Sequence, residues 1–237
     1  MWQKLSFILI VFSLSACTTT DLNRVLGSIL DSPLTEGEVA SGLKEALEKG
    51  ISKGAEALAA VDGYYKSPYK ILLPEEARKV TTRLQNVPGF SELEETILEK
   101  INRGAEDAAT RAKPIFVDAI RSMSIADAFN ILRGEQDAAT QYLERTTYDA
   151  LYAEFNPVIV TSLDKFNARQ YWADAVNAYN SIPFLNDEVD PDLDDYVTRQ
   201  ALNGLFAEIA KEELNIRENV GARTTDLLRK VFAAQDE

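Results

Sequence analysis

Val39, Leu43, Leu47 and Ile51 recur at four-residue intervals through TEGEVASGLKEALEKGISKGAEALAAV, with charged residues between them. That spacing gathers the apolar side chains on one face of a long amphipathic helix. Thr35 and Glu38 open it with the spacing of a capping box. Ala46, Gly50, Gly54 and Ala57 fall on one ridge. A glycine inside a helix costs about 1 kcal/mol relative to alanine, so this ridge predicts a second helix crossing at close range. Asp62-Gly63 ends the helix, and YYKSPYKILLP, punctuated by Pro68 and Pro74, reads as a long non-helical connection. Pro74 fits the first position of the next helix.

The pattern then repeats. PGFSELEETILEK offers a second capping box, Ser91 to Glu94, above Leu93, Ile97 and Ile101. The following NRGAEDAATRAK has the small residues of a tightly packed helix face. Pro114, Pro157 and Pro183 mark points where one helix yields to the next, because proline disfavours helix in the residue before it. Ser124, Pro191 and the region of Gly221 mark further starts. No stretch alternates with period two, and runs of β-branched residues are scarce. The chain therefore reads as all-α, a single bundle-like domain of roughly eight to ten helices. No repeat of 20 to 50 residues is visible, which argues against a solenoid.

The N-terminus carries a different signal. Lys4 precedes the apolar run LSFILIVFSL at residues 5–14, which is shorter than the roughly 20 residues needed to span a bilayer. Leu14-Ser15-Ala16-Cys17 follows, and Cys17 is the one cysteine of the chain. The four residues resemble the lipobox of bacterial lipoproteins, in which the cysteine is lipidated and becomes residue one after cleavage. The organisation expected is a cleaved signal peptide at 1–16 and a lipidated cysteine with tether and short helix at 17–34. The helical domain then occupies 35–237. Within the second part, Leu22, Val25, Leu26, Ile29 and Leu30 share one face of a helix over residues 21–31 that packs on the body or lies on the membrane. Thr18 after the cysteine, rather than Asp, resembles an outer-membrane sorting signal. The expected location is thus the cell envelope, lipid-anchored and facing the periplasm.

Charge and composition narrow the chemistry. The formal net charge is −13, and removing residues 1–16 leaves 24 basic against 38 acidic residues. Such a chain repels phosphate backbones, so nucleic acid is excluded as a partner. There is no histidine, which removes Ser-His and Cys-His catalysis and the commonest metal ligand. A single cysteine rules out an intramolecular disulfide and any cysteine-rich zinc site. No cofactor is expected, and no Gly-rich phosphate loop appears.

Several phrases are similar to the bacterial domain-of-unknown-function 4197 family: EVASGLKEALEKG, DGYYKSPYKILLP, INRGAEDAATRAKPIFVDAI and MSIADAFNIL. So are AYNSIPF, DLDDYVTRQALNGLFAEIAKEE and ARTTDLLRKVF. The resemblance covers residues 35–232. It implies a helical, exported protein, often a lipoprotein, and carries over no catalytic residue.

Four polar constellations are candidates for chemistry. Asp190, Asp192 and Asp194 have the 1, 3, 5 spacing of a calcium loop, but Asp195 and Ala201 stand where Gly and Glu are needed. The segment reads as a solvated acidic loop at a helix start, with only opportunistic calcium binding open to it. Glu208, Glu212 and Glu213, with Arg217 a turn beyond, are the candidates for a carboxylate-dependent cell-wall hydrolase, and otherwise form a charged helix face. Arg223, Thr224 and Thr225 either cap the last helix or hold an anion. Tyr179 and Asn180, with Tyr171 and Trp172, give an aromatic, amide-bearing helix suited to a core or to a ligand cavity.

The leading expectation is a membrane-anchored module that binds a small apolar or anionic ligand or another envelope protein. A purely structural envelope protein, self-associating through small-residue faces, is the third reading, and homo-oligomers are open to it. Cys17→Ser should move the protein from the membrane to the soluble periplasmic fraction, or stall it as precursor. Membrane retention of the processed variant in cell fractionation would remove the lipobox assignment.

Overall fold

A computed structural model describes residues 34–88, 90–165, 167–183 and 192–233, the side chain of Glu76 excepted. Cys17, the expected leader, the helix expected over 21–31, Asp190 and the start expected at Pro191 lie outside these residues. The described residues form nine α-helices: α1 (Glu36–Ala59), α2 (Glu75–Leu84), α3 (Leu93–Ala109), α4 (Ala112–Ser122) and α5 (Ile125–Leu132), then α6 (Ala138–Lys165), α7 (Ala168–Asn180), α8 (Asp194–Glu218) and α9 (Asp226–Phe232). A single 3-10 turn at Val220–Ala222 joins the last two, and no strand occurs among the described residues. The all-α expectation holds.

α1 and α6 organise the packing. α1 lies against α3, α4, α5, α8 and α9, while α6 lies against α3, α4, α5, α7 and α8. The small-residue ridge has its partner: a methyl group added at Gly50 would lie 3.3 Å from Ile216 Cδ1, and at Gly54 3.4 Å from Glu208 Cγ. Both neighbours belong to α8, so α1 and α8 approach closely where the sequence placed glycine. Ala57 lies outside that contact and is exposed. The reciprocal glycine, Gly204 on α8, admits the Tyr64 ring, whose Cε1 would be 2.8 Å from an added methyl.

One helix start and one helix interior differ from the sequence pattern. The Thr35–Glu38 box forms, with the Thr35 hydroxyl accepting from the Glu38 amide at 3.3 Å. Ser124 and Asp127 form another at α5. The Ser91–Glu94 box does not: α3 begins at Leu93 without a side-chain cap, and Glu94 instead accepts from the Thr81 hydroxyl at 2.9 Å. A contact between helices has displaced the local cap. Pro157 lies inside α6 rather than at its end. An interior proline removes one backbone hydrogen bond and costs about 3 kcal/mol. Here the helix persists because Leu151, Phe155, Ile159 and Leu163 are buried on both sides of it. Pro157 and Ala153, whose carbonyl loses its partner, both lie on the exposed side of the helix, away from the core.

Buried polar groups close the helix ends. The Glu213 carboxylate on α8 accepts from the Ala139 and Thr140 amides at 3.0 and 2.8 Å, capping the first turn of α6 across 74 residues of chain. Arg217 binds the same carboxylate at 2.8 Å and also donates to the Ile131 carbonyl at the end of α5, at 2.9 Å. Glu106 on α3 accepts from the Tyr64 and Tyr65 amides, both at 3.2 Å, and Asn102 exchanges hydrogen bonds with both backbone groups of Ile71. The long connection after α1 is thereby held to α3 without regular structure of its own.

Glu213→Ala would leave two helix-start amides and the buried Arg217 without their partner. Removing one member of a buried ion pair costs about 3–5 kcal/mol, and that loss should appear in denaturant unfolding. A loss below about 1 kcal/mol would show that Glu213 does not hold α6.

Candidate functional site

α2 rests on α3 and α7 and presents its opposite side to solvent. The cause is local: Ala77, Val80, Thr81 and Leu84 face inward at helical spacing, which turns Arg78, Lys79, Thr82 and Arg83 outward. Together with Glu75, Asn86 and Tyr179 of α7, these four line an open groove of about 810 Å³. Arg78, Lys79 and Arg83 have no carboxylate partner among the described residues, although the chain carries 38 acidic side chains. Three cations thus meet one acid, Glu75, around a wall closed by the buried Tyr179.

A second groove, of about 630 Å³, runs between α1 and α8 and includes Glu208 and Glu212. The three glutamates of α8 are buried rather than displayed on a solvated face, which corrects the simpler expectation. The glycines of α1 bring that helix down onto them. Each has a cationic partner: Lys211 for Glu208 at 3.0 Å, Lys53 for Glu212 at 2.7 Å and Arg217 for Glu213 at 2.8 Å.

The remaining candidates fall elsewhere. Arg223 is 1 % exposed and donates to the Ile216 and Arg217 carbonyls at 3.1 and 2.7 Å, closing the C-terminal end of α8. Thr224 accepts from Lys49 of α1 at 2.9 Å, and Thr225 accepts from the Leu228 amide at 3.3 Å as the cap of α9. Tyr179 belongs to the α2–α7 groove, on different elements from the Arg223 cluster, and Asn180 is exposed at the end of α7. Asp192 accepts from the Asp194 amide at 2.8 Å, and Asp194 pairs with Arg169 at 3.2 Å. Among the described residues no three acidic or cysteine side chains gather as metal ligands. Burial pushes the Asp194 carboxyl up from its ordinary range, against the pull of Arg169, and Asp192 and Asp164 push the same way.

Arg78, Lys79 and Arg83 were not singled out by spacing or motif. A compositional signal was there: residues 77–91 hold no Asp or Glu in a strongly acidic chain.

The model of a family described as a protein of unknown function (DUF4197) matches residues 33–233, and the chain belongs to that family. Neither the curated proteins nor the solved structures contain a match.

Beside the fully buried Tyr64, the connection between α1 and α2 carries two further phenols that titrate late. Tyr65 is pushed up to about 12, first by its hydrogen bond to Glu95 and then by burial. Tyr69 is pushed up to about 12, first by burial and then by Glu208. An unfolded tyrosine titrates near 10, so the folded state holds these protons more tightly. Their contribution to stability is complete below pH of about 10 and is lost as pH rises through about 12. Tyrosinate absorbance at high pH should show late-titrating phenols, with fewer of them in Tyr65→Phe. An unchanged late step in that variant would contradict the Glu95 contact.

Proposed function

We propose that this DUF4197 protein is a lipid-anchored, periplasm-facing binding module of the bacterial envelope, and that its α2–α7 groove receives an anionic ligand. The observation that carries the reading is the set of three cations, Arg78, Lys79 and Arg83, that line one groove with no carboxylate partner among the described residues. Elsewhere among the described residues cations are engaged by carboxylates, as Lys49, Lys53, Arg103, Arg199 and Arg217 are, in a chain of net charge −13. A cluster left open in this way is a place where an anion gains attraction without displacing a carboxylate. At physiological salt the screening length is about 8 Å, so remote carboxylates are largely silent there and the local cations dominate.

The groove supplies geometry as well as charge. Arg78 and Thr82 are four residues apart, as are Lys79 and Arg83, which sets two short rows of donors along α2, with Asn86 in the turn just beyond its end. Guanidinium and amide donors in rows suit phosphate or carboxylate oxygens. Tyr179 adds a phenol at the wall. The anchor rests on the Leu14–Cys17 lipobox pattern, and it keeps the module at a membrane without any basic surface contributing.

The glutamate-dependent hydrolase is the weaker reading. Glu208 and Glu212 line a groove, but each is engaged by a lysine, whereas a general acid needs a proton of its own.

Titration with inorganic phosphate and with glycerol phosphate, followed by calorimetry at low and physiological salt, tests the groove. The triple variant Arg78→Ala/Lys79→Ala/Arg83→Ala should bind at least about tenfold more weakly, a change of about 1.4 kcal/mol. Lys113→Ala, which removes an exposed pair with Glu56 away from the groove, should bind as the parent does. Equal affinities for the parent and the triple variant would sink the proposal.

A further inference from the structure

Below the start of α8 lies a small cavity of about 10 Å³, walled by Ile97 and Ile101 of α3, Leu163 of α6, Trp172 of α7 and Leu193 with Asp194. Arg169 closes its outer side, held to Asp194 Oδ2 at 3.2 Å and to Asp164 at 3.2 Å. Most of the lining is apolar, yet two of the lining residues each carry a buried polar atom with no hydrogen-bond partner: the Trp172 indole Nε1 and the Asp194 Oδ1. Both residues are more than nine-tenths buried, at 1 % and 8 % exposure. Buried polar atoms in folded proteins are nearly always partnered, by protein or by ordered water. One donor and one acceptor left over on residues that line the same cavity call for a common partner.

We infer that this cavity is a hydration site for a single long-lived water, which accepts from the Trp172 indole N–H and donates to Asp194 Oδ1. Size and chemistry agree on the ligand. A volume of 10–15 Å³ by this measure admits about one water, and larger organic groups do not fit. The occupant must accept one hydrogen bond and donate another, which excludes an inert apolar atom and a simple cation. A chloride would accept from the indole but would face the Asp194 carboxylate with like charge. Water satisfies both walls and leaves the Arg169–Asp194 pair undisturbed.

The site ties α7 to the first turn of α8. Trp172 and Tyr179 share helix α7, seven residues apart, so the water fixes the helix that forms one wall of the anion groove. The hydration site does not depend on that groove binding anything.

The test reads the indole proton directly. The full chain holds two tryptophans, Trp2 and Trp172, so Trp2→Phe in the full-length protein in detergent leaves one indole N–H signal. Magnetisation transfer between that proton and the water resonance should be present, with the sign of a water that stays bound through molecular tumbling. Asp194→Asn keeps an oxygen acceptor and should retain the transfer, whereas Asp194→Leu fills the cavity and should abolish it while the helical circular dichroism remains. Absence of transfer between the indole proton and water in the Trp2→Phe protein overturns the inference. Undiminished transfer in a folded Asp194→Leu protein also overturns it, because the water would then lie elsewhere. The first measurement decides the matter even if the leucine variant does not fold.

Discussion

A charge taken out of water must find its partners inside the protein, and this bundle meets that demand at the ends of its helices. Glu213 caps α6 from α8, Arg217 closes α5, Arg223 closes α8, and Glu106 gathers the amides that follow α1. A helix leaves several N–H and C=O groups open at each end. Here the open groups of one helix are satisfied by ionised side chains of another, so the electrostatics and the tertiary contacts are the same interactions. Cutting any one of them exposes both a charge and a helix terminus to an apolar surround.

Close approach is the second requirement. α1 and α8 lie near each other only because Gly50 and Gly54 present no side chain to Ile216 and Glu208. That approach buries the α8 glutamates, and burial is what makes their lysine and arginine partners structural rather than ornamental. Gly204 then lets Tyr64 sit against α8, where its hydroxyl donates to the Ala201 carbonyl at 2.7 Å. Burial pushes that hydroxyl far up from the ordinary tyrosine range, in keeping with a donor that never loses its proton.

Much of the fold is written in local spacing. The four-residue recurrence of Val39, Leu43, Leu47 and Ile51, the boxes at Thr35 and Ser124, and the break at Asp62-Gly63 follow from short-range rules. At Gly63 a methyl group would lie 2.5 Å from two carbonyl oxygens, so the break has a steric cause the sequence announces. What short-range rules miss are the places where a distant partner wins. Glu94 leaves its expected cap for Thr81, Pro157 stays helical because apolar residues on either side are buried, and Glu213 serves α6 instead of solvent. The groove was illegible for a related reason. Its cations acquire meaning only from having no acid beside them, and that depends on how α2 sits on α3 and α7.

The cap on α6 also imposes a timetable. Ala139 and Thr140 precede their acceptor Glu213 by 74 and 73 residues. At a synthesis rate of roughly 5–20 residues per second, the start of α6 leaves the ribosome roughly 4–15 seconds before its cap exists. The Tyr64 hydroxyl waits longer still, since its carbonyl is 137 residues away, and Lys49 reaches across 175 residues to Thr224. A growing chain therefore cannot lock itself from its N-terminal side. It stays threadable until α8 is complete, and then closes several helix ends at once.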